Sequence, residues 1–183
     1  MMIRAIRTVA AVAVGVVIVG GCTPPPGPLP DPIISCHTMG GPIAYDPPAS
    51  NAGVDVTITS LPGFEIEGCT PMTSALTYSA TVTDVVAVLP AFTCGTKAEG
   101  QVWGSGTGRI VWDDGAVTRF DVDVVGTGSA NSWSLVLDFT AGRWAGATAT
   151  VGMVPASSVG DCVNVPVTSA VLANVTPFVV HPA

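Results

Sequence analysis

The sequence predicts an all-β, antiparallel domain of about eight strands, and three observations carry the prediction. Apolar and polar residues alternate at period two from Ile33 onward, no stretch there has helical period with caps, and Gly, Pro and Asn/Asp clusters punctuate the runs at hairpin spacing. Such alternation gives one wet and one buried face, the mark of antiparallel sheet. Mostly sequential strands favour an up-and-down β-barrel, with a two-sheet β-sandwich as the alternative. At 183 residues a single domain is the default, large enough to bury a real core.

Ahead of that domain stands a different kind of segment. Residues 1–21 carry Arg4 and Arg7 before an apolar run, Val9 to Val19, broken only by Gly15. The run is too short to span a bilayer comfortably and has the charge layout of an export signal. It ends in Val19-Gly20-Gly21-Cys22, which resembles the lipobox of bacterial lipoproteins. By that resemblance Cys22 is the acylated N-terminus of the mature chain, with the domain held on the extracytoplasmic face of the cell membrane. Without a twin arginine, Sec export is the simpler route. Residues 23–32, TPPPGPLPDP, are too rich in proline to form a ladder and should lie extended as a stiff spacer. Residues 22–32 are thus a tether and 33–183 a single β-domain.

The strands of that domain are predicted near 34–45, 54–67, 74–89, 99–112, 116–126, 132–140, 145–154 and 163–180. In the second, Val54, Val56 and Ile58, then Phe64 and Ile66, alternate with polar residues; in the third, Leu76, Tyr78, Ala80 and Val82 share a face. Phe120, Val122 and Val124 oppose Asp121 and Asp123, and Trp133, Leu135, Leu137 and Phe139 do the same one strand later. Turns are expected at Asp46-Pro47-Pro48, Asp113-Asp114-Gly115, Gly126-Thr127-Gly128 and Ala141-Gly142. The second of these has a predicted register. A two-residue turn would put Ile110 opposite Arg119 and split Phe120 from Trp112, whereas a three-residue loop pairs Trp112 with Ala116 and Ile110 with Thr118. A type I turn closed by a G1 bulge, with Gly115 at positive φ, is therefore predicted.

Several of these segments carry a resemblance. Gly106-Thr107-Gly108-Arg109-Ile110-Val111-Trp112-Asp113-Asp114-Gly115, Gly142-Arg143-Trp144-Ala145-Gly146, a late Cys162, and the earlier Cys36-x-Thr38-Met39-Gly40 and Gly68-Cys69-Thr70 are similar to uncharacterised secreted β-domains of actinobacteria. Trp144 stands where that family has Phe, and Gly146-Ala147 where it has Gly-Asp. The resemblance implies export and fold, and no activity.

Charge and motif content exclude several functions. Outside the leader, Lys97, Arg109, Arg119 and Arg143 face thirteen acids, a formal charge of −9, which rules out nucleic-acid binding by a basic surface. With two histidines a His-based metal cage is nearly excluded, and no cofactor or metal motif is found. His37 and His181 lack the setting of a catalytic base. Asp113-Asp114-Gly115 lacks the further ligands of a calcium loop. Glu65 and Glu67 share a strand face with Asp55 and Thr57 and read as solvated rather than as a glycosidase pair. Trp103, Trp112, Trp133 and Trp144 are candidate lining residues for an apolar or carbohydrate-stacking pocket, with core packing the plainer account for most of them. The Asn174-Val175-Thr176 sequon is expected to be idle on a bacterial export route.

Cys36, Cys69, Cys94 and Cys162 form an even set in an exported domain, where disulfides persist. Four cysteines allow three connectivities. The midpoint of Cys36 and Cys69 falls near residues 52–53, so antiparallel pairing about the intervening turn opposes them, and elimination joins Cys94 to Cys162. Zinc is the competing reading, without Cys-x-x-Cys spacing to support it. Together these features lead to the expectation of a non-enzymatic, surface-anchored domain with a binding or structural role toward an envelope component. The alternatives are a barrel carrying a small apolar ligand or lipid and, less favoured, an envelope hydrolase.

Overall fold

A computed structural model describes residues 31–183 except Ala75, Thr96 and Ala130. The leader, Cys22 and most of the tether lie outside the described residues. Among those described, all regular structure is strand: β1 (Ile34–Ala49), β2 (Val54–Ser60), β3 (Glu65–Pro71), β4 (Tyr78–Phe92), β5 (Val102–Trp112), β6 (Val117–Gly126), β7 (Trp133–Gly142), β8 (Thr148–Val159), β9 (Val167–Asn174) and β10 (Phe178–His181). They form one antiparallel sheet in the order β1-β2-β4-β5-β6-β7-β8-β9, and β9 pairs back to β1. The sheet is therefore a closed, barrel-like ring. Closure removes the long exposed edges that would otherwise template aggregation.

The ring has eight positions because two of them hold a broken strand. β2 and β3 both lie between β1 and β4, and β9 and β10 both lie between β1 and β8. The predicted runs 54–67 and 163–180 are thus corrected to two segments each. The first break, at residues 61–64, contains Pro62, which has no amide to give to a ladder; Leu61 there donates to Pro42 O at 2.9 Å. The second contains Pro177, and here a side chain replaces the missing backbone partner. Asn174 accepts from Met39 N at 3.0 Å and donates to His37 O at 2.9 Å and Thr176 O at 2.8 Å, while Thr176 Oγ1 accepts from Gly152 N at 2.7 Å. The sequon residues therefore have a structural task that their motif does not suggest. Asn174→Ala would leave the Met39 amide and His37 carbonyl of β1 without these partners. The expected cost is about 1 to 3 kcal/mol, read as a lower urea midpoint at unchanged slope; an unchanged midpoint would refute it.

Bulges explain where the alternation changes phase. On β4, Ala80 and Val82 point inward, then Ala87 and Leu89 do; even positions give way to odd ones across the register shift between Thr83 and Val86, where Asp84 has φ 55°. Leu76, expected to share the inward face, precedes β4 and is exposed. The turn expected at Pro47-Pro48 lies later, because β1 runs on to Ala49 through a bulge that absorbs both prolines. Likewise β7 continues through Ala141 and Gly142. At Gly142 the backbone has φ 87° and a β-carbon would sit 1.9 Å from Val117 O, so only glycine fits.

The β5–β6 hairpin has the predicted register. Ile110 opposes Thr118, Gly115 N donates to Trp112 O at 2.9 Å, Trp112 N donates to Ala116 O at 2.9 Å, and Gly115 has φ 84°. Trp112, Phe120 and Val122 are buried in one core. Cys36 and Cys69 stand directly opposite each other on β1 and β3 and are disulfide-bonded, with α-carbons 3.8 Å apart, closer than expected. Cys94 and Cys162 form the second pair, with α-carbons 6.2 Å apart.

Candidate functional site

The four tryptophans separate into two pairs, at opposite ends of the ring. β5 carries Trp103 near its start and Trp112 at its end, so strand geometry alone sets them roughly 30 Å apart. At the end where the chain enters β1, Trp112 is buried and Trp144 meets it edge-on, ring centroids 5.1 Å apart. The Trp112 indole donates to Thr118 Oγ1 at 3.0 Å, and that hydroxyl donates to Arg143 O at 3.1 Å. The Arg143 guanidinium lies 5.4 to 5.7 Å from the rings of Tyr78, Trp144 and Trp112 and pairs with Asp114. This end is a packed plug. Trp112 lies in the core and Trp144 packs against it, away from the cleft lining.

At the other end the ring opens into a cleft of about 350 Å³. Strand ends and their loops supply its wall: Tyr45 from β1, Phe92 from β4, Trp103 from β5 and Trp133 from β7. Phe92 and Trp103 stack with centroids 5.4 Å apart, Trp133 meets Trp103 edge-on at 6.3 Å, and Tyr45 is 6.3 Å from Phe92. A second apolar cluster, including Val56, Leu89, Phe92 and Val124, packs beneath. Burial pushes the Tyr45 hydroxyl up to about 12, so it is a neutral donor at any physiological pH. The Trp103 indole nitrogen is buried with no hydrogen-bond partner among the described residues, an unmet donor that costs free energy until an acceptor reaches it.

The cleft also holds charge. Lys97 Nζ sits 5.1 Å from the centre of the Trp103 ring and donates to Thr93 Oγ1 at 3.3 Å. Asp161 is occupied by its own loop, where it accepts from the amides of Val163, Asn164 and Val165 and from the Asn164 side chain. Those donors, the Val165 amide first, hold its carboxyl well below the ordinary carboxylate range. The loop so fixed contains Cys162, which joins Cys94 on the opposite wall.

Of the residues singled out in the sequence, Trp103 and Trp133 come together in the cleft, with Cys94 and Cys162 at its rim. Tyr45, Phe92 and Lys97 were missed. Tyr45 and Phe92 stand at or beyond the predicted strand ends, and only the extension of β1 and β4 through proline-containing bulges brings them to the same mouth. Glu65 and Glu67 are exposed on the outer face of β3, and His37 is exposed on β1. Asp113 and Asp114 serve the hairpin, accepting from Ser79 N and Ala116 N. The ring interior is filled: the cavity at its centre, lined by Met39, Phe64, Val82 and Leu137 among others, has about 50 Å³. No family model, curated protein or solved structure matches the chain.

Proposed function

We propose that this protein is a non-enzymatic, lipid-anchored binding module of the bacterial cell envelope. The observation that carries the reading is the placement of the cleft. β1 begins at Ile34, just after the proline-rich tether, and the cleft lies at the other end of that strand, around Tyr45 and Ala49. A chain held through Cys22 would then present its cleft away from the bilayer while the packed plug faces the tether. The leader and the lipobox-like Val19-Gly20-Gly21-Cys22 support export and anchoring.

The size of the interior weighs against the lipid-carrier alternative. A cavity of about 50 Å³ admits a few waters and not an acyl chain. A glycoside hydrolase working through the Asp/Glu set would need two carboxylates in a cleft, and the one acid lining this cleft, Asp161, is engaged by four donors of its own loop. Metabolic labelling with an alkyne fatty acid in a bacterial host tests the anchor. The expected result is label on the wild-type chain in the membrane fraction and none on Cys22→Ala; equal label on both, or none on either, overturns it.

A further inference from the structure

Resting on the reading of the cleft as a binding site, we infer that its ligand is a small organic acid: one carboxylate on a flat, apolar body. Three features of the cleft point to this chemistry.

The first is an uncompensated cation. Among the described residues Arg109 pairs with Asp84 and Arg143 with Asp114, whereas neither Lys97 nor the exposed Arg119 of β6 has a carboxylate within ion-pair distance, and of these two only Lys97 lines the cleft. The one acid lining the cleft, Asp161, is turned to its own loop amides. In a domain with few cations and many acids, an unpaired ammonium inside this cleft is where an anionic group gains most. The net negative charge elsewhere is screened beyond about 8 Å at physiological salt, and Asp161, though ionised, already accepts four hydrogen bonds from its own loop, so the ammonium is the charge in the cleft left to recruit a partner.

The second is the indole donor of Trp103, the one buried side-chain polar atom without a partner among the described residues. Lys97 stands over this same ring. The ammonium and the unmet indole donor thus lie at the same ring, and a carboxylate has two oxygens to give. Asn131, also in the lining and held at φ 60°, adds an amide at the rim.

The third is the aromatic wall. Tyr45, Phe92, Trp103 and Trp133 line the cleft with aromatic carbon, an apolar wall for a flat body. Trp103 has Phe92 stacked on it and Lys97 over it, so it lacks the open face on which a neutral sugar would stack. The volume, about 350 Å³, lies at the small end of ligand pockets.

The test titrates the full chain with phenylacetate, its neutral isostere phenylacetamide and the cation 2-phenylethylammonium, read by tryptophan fluorescence and calorimetry. Phenylacetate is expected to bind about ten-fold more tightly than the amide, the effect of one charge-assisted hydrogen bond. Lys97→Met keeps the aliphatic stem over Trp103 and is expected to abolish that difference between acid and amide, with circular dichroism as the check on folding. Equal affinity for acid and amide, or tightest binding of the cation, overturns the organic-acid assignment and leaves the binding-module reading standing. No saturable signal with any probe overturns both the assignment and the cleft as the binding site.

Discussion

Trp112→Ala is expected to lower the unfolding free energy by about 3 to 5 kcal/mol, the largest effect of any single side chain in the domain. Trp112 is the largest of the fully buried side chains, only 2% exposed. Truncation removes the apolar area of the indole and leaves a void that a closed ring cannot collapse around, since β4 and β6 are hydrogen-bonded to β5 on both sides. It also removes the edge contact with Trp144 and one of three aromatic rings around Arg143. Thr118, the one buried polar side chain among the described residues, loses its indole donor but keeps its bond to the Arg143 carbonyl. Trp112→Phe should therefore cost much less, since most of the buried area survives. Thr118→Val should cost about 1 to 3 kcal/mol by leaving the indole and a carbonyl unpaired. Urea unfolding of the three variants at matched slope checks the order. A Trp112→Ala loss near that of Trp112→Phe would mean that the plug is not what holds this end of the ring. Since domains are stable by only about 5 to 15 kcal/mol, the alanine variant is also expected to melt well below the wild type.

The β5–β6 hairpin shows what the sequence could say. Trp112, Phe120 and Val122 had to share a face, only one loop length allows that, and the pairing of Ile110 with Thr118 follows. The Cys36–Cys69 pair was legible for the same reason, since two strands about one turn fix which residues oppose. Where a strand is interrupted, this reasoning fails. Alternation records burial along a run but not a bulge that reverses the phase, so the change of face at Asp84 within β4 was not visible, and Leu76 seemed to belong to its inward face. Pro62 and Pro177 lie inside the predicted runs 54–67 and 163–180, and whether such a proline ends a strand or only divides one position of the ring depends on the neighbours β1, β4 and β8. The cleft was half legible. Trp103 and Trp133 could be named as candidates, but separating them from Trp112 and Trp144 needs the strand ends, and those ends are what Pro47, Pro48 and Pro90 displaced. Lys97 matters through what it lacks, a carboxylate neighbour, and no spacing along the chain reveals an absence of contact in space.

Replacing Cys36 and Cys69 together by alanine is expected to cost roughly 3 to 4 kcal/mol through the unfolded state, if chain entropy dominates. The crosslink spans 33 residues of sequence, and opening it returns loop freedom to the denatured chain while the ladder of β1 with β3 still holds the register in the folded one. A smaller contribution comes from the native side. Both cysteines are fully buried among Ile34, Ile66 and Phe178, so losing the two sulfurs also loses packing. The second bridge spans 68 residues, and the same entropic model gives it only about 0.6 kcal/mol more, because closure cost grows with the logarithm of loop length. The two double variants should thus be similarly destabilised and differ in kind. Loss of Cys36–Cys69 leaves the cleft at the far end intact, whereas Cys94→Ala with Cys162→Ala releases two cleft walls from each other and should also weaken binding there. Urea midpoints at unchanged slope give the stabilities, and non-reducing peptide mapping of the wild type gives the connectivity on which both rest. A Cys36–Cys94 or Cys36–Cys162 peptide would overturn the pairing, and a near-zero stability change for the Cys36 and Cys69 double variant would show that the denatured chain keeps β1 and β3 together without the bond.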